Sequence, residues 1–398
     1  MLLQGFDPEI FLLEYWQRRP LLIKNPQQGF VDPIDADELA GLACDSDMEA
    51  RLVTRTQADS WQLSHGPFAT DRFAGLGETN WTLLVQAVDQ VHEGVEALKR
   101  YFDFLPAWRI DDVMVSYACD GGGVGPHFDQ YDVFLIQGRG SRRWQLGQHC
   151  EAGTRLRDDT ELSLVNNFDV TAEYLLGPGD ILYLPPRVAH HGVSVGESLC
   201  YSIGFRAPSH AELLLDFSDT LAETLTEDQR FQDPALHKQD EFGQIQDRAI
   251  DQAFETVAAL VHNKSLFTDS FGRYVTLPKY PERVIPPDLE YDEAEIFRLL
   301  VNRNSPVALY VNPASRLAYS LDPVHQQVKL FADGQLVPCA LALLPLARAL
   351  CGTPWTQPLA VGQWLPELPA TAGLLTQLIN QGSLLISEEN DFQDGDVR

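Results

Sequence analysis

The chain has 398 residues, of which 44% are apolar and 22% charged; this composition excludes an intrinsically disordered protein and allows two or three folded domains. The formal net charge of -28, from 57 acidic and 29 basic residues, disfavours naked nucleic acid as a partner and favours a basic one, although acidity also serves solubility alone. The sequence contains no membrane-length apolar run, signal peptide or CxxC pair, so a cytoplasmic protein without disulfides or membrane association is predicted.

The N-terminal part of the chain predicts a mixture of helices and strands. Residues 7–16 combine a capping aspartate with apolar side chains at helical spacing, and the Arg-Arg-Pro sequence that follows ends this helix. Residues 21–23 predict a short strand, and residues 35–42 predict a second short helix. Residues 50–85 are rich in strand-forming segments, and residues 85–102 return to a helical pattern.

A dense series of short strands is predicted between Val113 and Phe205. Glycine-rich turns separate these strands, for example at residues 177–180, just before the apolar run 181–184. Short, evenly spaced strands joined by such turns indicate a β-sandwich or barrel. Residues 1–210 are therefore predicted to be mainly β with helical additions.

The stretch from Gly121 to Asp129 carries the strongest chemical signal in this β-rich region. His127 and Asp129 are separated by one residue, so on an extended strand both side chains point to the same face. With a later histidine they supply two imidazoles and one carboxylate, a set that suits non-haem Fe(II) and leaves coordination positions open. The alternative is a surface hydrogen-bonding couple, which is what most His-x-Asp pairs are. The glycines before His127 favour the metal site, because they let the backbone bend closely around it.

Two further features support a metal site. Residues 133–136 predict a barrel strand, and on the next strand Arg142 and Trp144 share one face, which would place a fixed cation inside the barrel. Downstream, the adjacent histidines His190 and His191 follow a pair of prolines. Spacing alone leaves open which of the two completes the ligand set.

After residue 208 the pattern changes to amphipathic helices. Apolar residues recur at helical spacing within residues 211–280, and residues 211–260 carry 12 acidic but only 3 basic side chains. Two copies of the chain related by a two-fold axis could bury these apolar stripes, so a homodimer built through residues 211–280 is predicted. The alternative is that the stripes pack within one chain.

Residues 281–398 are predicted to form a winged-helix-like domain. The candidate recognition helix, residues 372–380, contains no Lys or Arg, so direct DNA binding is not expected. The predicted order is helix, strand, hairpin, two helices and strand, at residues 292–301, 307–311, 317–331, 339–349, 372–380 and 384–387.

Four segments resemble the JmjC branch of the cupin-fold, 2-oxoglutarate-dependent oxygenases, and more narrowly the bacterial ribosomal oxygenases. These segments are residues 11–22, 121–143, 183–190 and 201–208. The run 125–134, Gly-Pro-His-Phe-Asp-Gln-Tyr-Asp-Val-Phe, is highly specific. The resemblance implies a double-stranded β-helix, or jelly roll, for residues 1–210. It extends to the rest of the chain through the order of barrel, helical dimerisation region and C-terminal winged-helix domain.

The resemblance also implies roles for individual residues. His127, Asp129 and His190 match the iron ligands of the family, and His191 is then an exposed or neighbouring residue. Arg142 matches the basic residue that pairs with the distal carboxylate of 2-oxoglutarate, a bidentate task suited to a guanidinium. Ser116 matches a polar residue near that co-substrate. The implied cofactors are Fe(II), 2-oxoglutarate and O2.

The implied activity is hydroxylation of an arginine side chain in a basic, large-subunit ribosomal protein. Two alternatives stay open: hydroxylation of a His, Asn or Lys side chain in a ribosomal protein, and a non-catalytic cupin module that binds a basic partner. An arginine substrate needs acidic groups to anchor it. Asp111, Asp112 and Asp120 could line such an acidic pocket, but neighbouring carboxylates in loops are usually solvated, and solvated carboxylates are predicted here.

Overall fold

The structure, a computed structural model, describes residues 3–26, 29–56, 60–234, 236–301, 307–360 and 368–388. The chain divides into two compact units, Met1–Ala207 and Pro208–Arg398. The finer division of the second unit at residue 280 stays a prediction. The predicted winged-helix-like domain includes residues 302–306, 361–367 and 389–398, which lie outside the described residues.

Two antiparallel sheets build the N-terminal unit. Its strands in the described residues are β1 (Leu21–Ile23), β2 (Ala50–Arg55), β3 (Trp61–His65), β4 (Trp81–Val85), β5 (Ile110–Ala118), β6 (Asp132–Gln137), β7 (Ser141–His149), β8 (Ala172–Leu176), β9 (Ile181–Leu184), β10 (Val188–Val195) and β11 (Ser198–Phe205). The larger sheet has the order β1-β9-β6-β11-β5-β4-β2-β3 and the smaller one β10-β7-β8. This architecture confirms the predicted jelly roll.

Strand β6 shows how the apolar pattern builds the barrel. All six of its residues are buried, and they alternate between two cores. Val133 and Leu135 join Trp144 in a cluster that draws side chains from both sheets. Phe134 and Ile136 point to the opposite face and belong to the larger core behind the eight-stranded sheet. Because side chains alternate along an extended strand, a run of four consecutive apolar residues such as 133–136 must be covered on both faces.

Short helices cover this larger core. They are α1 (Pro8–Glu14), α2 (Ala36–Leu42), α3 (Asp71–Ala74) and α4 (Glu93–Glu96). The predicted cap of the first helix is confirmed, because the Asp7 carboxylate accepts hydrogen bonds from the backbone N–H groups of Glu9 and Ile10 at 2.9 and 3.2 Å. Phe11 and Leu39, one from each of the first two helices, are fully buried in the core.

The continuous helical pattern predicted at residues 85–102 is wrong in detail. Val85 ends β4, and the helical residues that follow are split among α4 and two short 3-10 helices, Val88–Gln90 and Ala97–Phe102. The break occurs at His92, which is extended, with φ -133° and ψ 113°, and whose side chain accepts a hydrogen bond from the backbone N–H of Val95. An extended residue that caps a new helix cannot also continue the preceding one.

Helices and small sheets build the C-terminal unit. Its elements in the described residues are α5 (His210–Glu223), α6 (Asp247–Val261), α7 (Lys264–Val275), α8 (Glu293–Val301), β12 (Val307–Val311), β13 (Leu317–Asp322), β14 (Gln327–Ala332), β15 (Gln335–Ala340), α9 (Leu344–Gly352), α10 (Leu368–Asn380) and β16 (Leu384–Glu388). β13, β14 and β15 form one antiparallel sheet, and β12 pairs with β16. No helix of the described segments is long and apolar enough to cross a membrane.

One predicted helix in this unit begins later than expected. The sequence predicts a helix from residue 339, but Cys339 lies in β15 and pairs with Val328 of β14. The helix starts at Leu344, after a 3-10 turn over Leu341–Leu343. The apolar sequence around Cys339 is compatible with a helix and with a buried strand. Pairing with β14 therefore decides its conformation.

Candidate active site

A pair of reciprocal backbone hydrogen bonds joins the two predicted halves of the metal site. The His127 N–H donates to the His190 carbonyl at 3.0 Å, and the His190 N–H donates to the His127 carbonyl at 2.8 Å. His127 is thus part of an isolated antiparallel bridge and not of the regular strand predicted from its sequence. The Asp129 carbonyl accepts a further hydrogen bond, at 2.7 Å, from the N–H of Arg187, just before β10. The segment that carries His127 and Asp129 is therefore fastened to the small sheet through its backbone.

The side chains of His127, Asp129 and His190 converge. One donor atom of each lies within 4.8 Å of the others, and His190 Nε2 is 3.7 Å from Asp129 Oδ2. Both imidazoles are oriented by backbone carbonyls, since His127 Nδ1 lies 2.9 Å from the Gly125 oxygen and His190 Nδ1 lies 2.9 Å from the Val188 oxygen. A carbonyl only accepts, so each Nδ1 carries the proton and each Nε2 keeps a lone pair. This set of two imidazoles and one carboxylate could hold a divalent metal.

Burial keeps His190 in the form that a metal needs. The residue is 3% exposed, and this burial, aided by the neighbouring His127, lowers the pKa of His190 to about 4, although the Asp129 carboxylate acts in the opposite direction. At neutral pH the imidazole is therefore uncharged. A neutral imidazole with its Nδ1 proton held by a carbonyl is a ready metal ligand.

The structure separates the two candidate histidines that the sequence left open. His190 and His191 are consecutive on β10, so their side chains leave the strand on opposite faces. The His191 ring lies between the aromatic rings of Trp61 and Phe168, with centroids 6.3 and 6.2 Å away. His191 is half-buried, and it does not join the donor cluster of His127, Asp129 and His190.

Arg142 places a cation inside the jelly roll, as its position on β7 predicted. The residue is 6% exposed, and burial lowers the pKa of its guanidinium below the usual range. Its hydrogen bonds go to serine hydroxyls: Nη1 to Ser116 at 3.0 Å, and Nε and Nη2 to Ser198 at 3.3 and 3.1 Å. In the described part of the chain no acidic side chain forms an ion pair with it. A buried cation of this kind fits a ligand that brings its own carboxylate.

Trp144 shares the inner face of β7 with Arg142. Its indole ring lies 5.9 Å from the His190 ring, measured between centroids, and rests directly on Gly192 of β10. A Cβ at Gly192 would approach three atoms of this ring to 2.7–2.8 Å, so any larger residue there would displace the indole. Trp144 Nε1 is buried and has no hydrogen-bond acceptor among the described residues, which is consistent with a polar ligand beside it.

A group of acidic side chains surrounds the phenol of Tyr131. Burial raises the pKa of Tyr131, and the carboxylates of Asp129, Asp112 and Asp111 raise it further. The prediction that Asp112 is solvated is wrong: the residue is 3% exposed, and Gln86 Nε2 lies 3.0 and 2.9 Å from its two carboxylate oxygens. Asp112 lies on β5 and not in the loop that the prediction assumed. Of the three predicted acids, only Asp120 therefore lies outside a regular strand.

Of the other two predicted acids, Asp111 is half-buried on β5, with its carboxylate 3.9 Å from Arg206 Nε, and Asp120 lies just after that strand. Asp120 is exposed and accepts a hydrogen bond from the backbone N–H of Gly196 at 2.8 Å. This contact ties the turn after β5 to the turn before β11. The Asp120 carboxylate thus accepts a hydrogen bond from the backbone of a neighbouring turn.

Comparison with known proteins connects this geometry to a family. Residues 97–213 match the model of a JmjC domain, and residues 259–385 match that of a ROXA-like winged helix. The ribosomal protein uL16 3-hydroxylase of Escherichia coli (strain K12) is 40% identical over 296 residues, which make up 73% of this chain and 77% of that protein. The chain belongs to the bacterial ribosomal oxygenases. The family predicted from the sequence motifs is therefore confirmed.

Solved structures of relatives agree with this assignment. An X-ray structure of E. coli YcfD matches this ribosomal oxygenase with a TM-score of 0.85 at 34% identity, covering 96% of this chain and 99% of that one. A structure of E. coli YcfD, a ribosomal oxygenase, in complex with cobalt and 2-oxoglutarate matches with a TM-score of 0.82 at 34% identity, again covering 96% and 99%. That relative therefore holds cobalt and 2-oxoglutarate at the same time.

Sequence reasoning missed Ser198 and Ser194 of this ribosomal oxygenase. Ser198 contacts the guanidinium of Arg142, and the Ser194 hydroxyl lies 2.7 Å from that of Ser198. Serine is common in turns and strands, so neither position stands out in the sequence. Their neighbourhood follows from strand pairing, which puts Ser194 opposite Arg142 in the ladder between β10 and β7.

Replacing each of the adjacent histidines by alanine tests the metal ligand set. We expect His190→Ala to lower the affinity for Co(II) by more than about 100-fold, since even the outer hydrogen-bond partners of metal ligands contribute 10–100-fold. His191→Ala should change this affinity by less than about 3-fold, because an aromatic neighbour is lost and no ligand. Calorimetric titration of the purified, metal-free protein with Co(II) measures both. A larger loss in His191→Ala would assign the third ligand to His191.

Proposed function

We propose that this ribosomal oxygenase uses Fe(II), 2-oxoglutarate and O2 to hydroxylate an arginine side chain of large-subunit ribosomal protein uL16. The observation that carries the proposal is the convergence of the His127, Asp129 and His190 donor atoms within 4.8 Å. The relative named for 3-hydroxylation of uL16 supports a ribosomal substrate, which implies that the protein works in the cytoplasm. The net charge of -28 suits a basic ribosomal protein as partner.

In this proposal His127, Asp129 and His190 hold the iron. When bound, iron and 2-oxoglutarate supply, with O2, the oxidising chemistry that hydroxylates an unactivated carbon, and the co-substrate leaves as succinate and carbon dioxide. The protein's part is to orient both imidazoles, which the Gly125 and Val188 carbonyls do by accepting the Nδ1 protons. Two imidazoles and one carboxylate leave coordination positions for a chelating co-substrate and for oxygen.

Arg142 binds the distal carboxylate of 2-oxoglutarate, and Ser116 supports it from β5. The guanidinium has no acidic partner in the described chain, so it gains its counter-charge only when a carboxylate enters. Buried pairs of a guanidinium and a carboxylate are bidentate and strong, which suits an anchor that must hold a small co-substrate in one orientation. Arg143 has no such role, because its exposed side chain already pairs with Glu173 at 2.9 Å.

The acidic group around Tyr131 receives the substrate cation. Asp112, Met114 and Ser116 occupy alternate positions of β5 and therefore share one of its faces. Ser116 lies four positions after Asp112, which is about 13 Å along the strand. One face of β5 thus offers a carboxylate for a substrate guanidinium at one end and a hydroxyl beside the anion-binding Arg142 at the other. A guanidinium with five donors uses such a cluster of acceptors better than a neutral Asn or His side chain does.

We also propose that the protein is a homodimer built through residues 211–280. Helix α6 has no buried residue. Its apolar side chains at positions i, i+4 and i+7 are exposed: Ile250 is 53% exposed, Phe254 72% and Val257 59%. On α5, Leu214 is 60% exposed. Contiguous apolar surface of this kind is unfavourable in water, and a second copy of the same surface related by a two-fold axis would bury it.

The decisive test of the reaction is mass spectrometry of uL16. We expect incubation of the full chain with Fe(II), 2-oxoglutarate, O2 and uL16 to add one oxygen to a single arginine of uL16, with one succinate formed per oxygen transferred. The gain should vanish when 2-oxoglutarate is omitted or when His190→Ala replaces the wild type. Oxygen on a lysine, histidine or asparagine would change the substrate side chain. Binding of uL16 without any oxygen transfer would favour the non-catalytic module.

A comparison of the two adjacent arginines tests the anchor of the co-substrate. Arg142→Ala should raise the concentration of 2-oxoglutarate needed for half-maximal turnover by about 100-fold, because it removes two charge-assisted hydrogen bonds from a buried carboxylate. Arg143→Ala should change it by less than about 2-fold, since an exposed ion pair contributes little. Steady-state kinetics with varied 2-oxoglutarate measures both. Equal effects would contradict the assignment of Arg142 as the anchor.

Sedimentation of single-residue variants tests the homodimer. The wild type should sediment as a dimer at micromolar concentration, and Phe254→Asp should shift it to the monomer, because a charge on the apolar face cannot be buried. Thr256→Asp is the matched control on the opposite, exposed side of α6, and it should leave the dimer intact. A wild type that sediments as a monomer would refute the homodimer.

A further inference from the structure

The hydrogen bonds of Arg142 within the protein leave two of its N–H donors available for a ligand. A guanidinium has five N–H donors. Three are used inside the protein: Nε and one on Nη2 by the Ser198 hydroxyl, at 3.3 and 3.1 Å, and one on Nη1 by the Ser116 hydroxyl, at 3.0 Å. The two that remain belong to different terminal nitrogens, one on Nη1 and one on Nη2. A pair of donors on the two ends of the guanidinium is what a carboxylate binds bidentately.

Ser198 can accept hydrogen bonds from Arg142 because its own hydroxyl proton can be donated to Ser194. The Ser198 hydroxyl lies 2.7 Å from the Ser194 hydroxyl, which in turn lies 2.7 Å from the Gly196 carbonyl. When Ser194 donates to Gly196, its oxygen is available to accept the Ser198 proton, and the Ser198 oxygen can accept from the guanidinium. The relay therefore runs from Arg142 through Ser198 and Ser194 to a backbone oxygen that cannot donate in return.

Ser194 and Ser198 are enclosed by the protein, so water cannot easily take the place of their hydroxyl groups as hydrogen-bond partners of Arg142. Ser198 is 1% exposed and Ser194 is 2% exposed. Both are uncharged, so they satisfy the inner donors of Arg142 without neutralising its charge. A carboxylate at position 198 would pair with Arg142 and remove its attraction for an incoming anion. Serine thus satisfies the geometry of the guanidinium and leaves its charge for the ligand.

We infer that Ser198, held by Ser194, is a positioning residue that turns the guanidinium of Arg142 so that its two remaining donors meet the distal carboxylate of 2-oxoglutarate. This inference rests on the proposed function, since it assigns Arg142 to that carboxylate. Ser198 makes the site selective for a 2-oxo acid with a second carboxylate. Without it, two buried N–H groups lose their acceptor and the guanidinium is no longer held in one rotamer.

Binding of two 2-oxo acids to the same metal-loaded protein tests the inference. 2-Oxoglutarate has a distal carboxylate and pyruvate lacks one, while both offer the same chelating 2-oxo acid group. In Ser198→Ala we expect the affinity for 2-oxoglutarate to fall by about 10-fold, the effect of losing hydrogen bonds to a charged group. The affinities for pyruvate and for Mn(II) should stay within about 2-fold, because neither involves the guanidinium. Calorimetry on the full, metal-free chain measures the affinity for Mn(II), and calorimetry on the full, Mn(II)-loaded chain measures the affinities for the two 2-oxo acids.

Further variants separate positioning from packing. Ser198→Cys keeps a side chain at this place but offers only a weak acceptor, so it should show the same selective loss and decides the matter if Ser198→Ala does not fold. Ser270→Ala removes a different buried hydroxyl, which donates to Asp216 at 2.6 Å, and should alter neither affinity. In turnover, Ser198→Cys should raise KM for 2-oxoglutarate and leave kcat within about 2-fold, as expected for a ligand-binding effect.

Each result supports or overturns a defined statement. Equal losses for 2-oxoglutarate and pyruvate in the Ser198 variants would mean a general structural role and overturn the inference. Unchanged affinity for 2-oxoglutarate in these variants, with a large loss in Arg142→Ala, would overturn the inference and leave the proposed function intact. Unchanged affinity in Arg142→Ala as well would overturn the proposed anchor itself.

Discussion

The site depends on the backbone pairing of His127 with His190. These residues are far apart in sequence, and the segment around His127 lies outside the regular strands, so it has no sheet ladder of its own to hold it. Two short hydrogen bonds join it to β10, and the carbonyls of Gly125 and Val188 then orient the two imidazoles. Because main-chain atoms set the ring positions, the donor atoms are preorganised before a metal binds. The side chains therefore lose little conformational entropy when it does.

A second constraint is the buried charge of Arg142. A cation inside a protein is unfavourable unless it is paired, and the protein supplies only hydroxyl groups from Ser116 and Ser198. These groups satisfy the geometry of the guanidinium and leave its charge uncompensated. In the proposed function, a dicarboxylate completes the pair on entry, and the unfavourable desolvation of the guanidinium is thereby converted into affinity for that ligand. The same reasoning explains why the anchor is built from serines.

One face of β5 carries a carboxylate at one end and a hydroxyl that contacts the cation of β7 at the other. On β5, Ser116 lies beside the cation that attracts the co-substrate, and Asp112 lies at the other end of the same face, where Gln86 holds its carboxylate. The period of the strand therefore sets the spacing between the place for an anion and the place for a cation. The proposed reaction of a dicarboxylate co-substrate with an arginine substrate needs both places, at a separation that keeps the two ligands from pairing with each other.

The sequence by itself determined most of the elements and the chemical core of the site. Alternating or continuous apolar runs identified strands such as β6, and the motif around His127 and Asp129 identified the family, because both signals are local. Tertiary structure decided what local patterns leave open. Strand faces distinguish His190 from His191, pairing of β10 with β7 brings Ser194 opposite Arg142, and β5 buries Asp112. These outcomes depend on register between segments distant in sequence, and register is set by the packing of the whole sheet, which no single segment encodes.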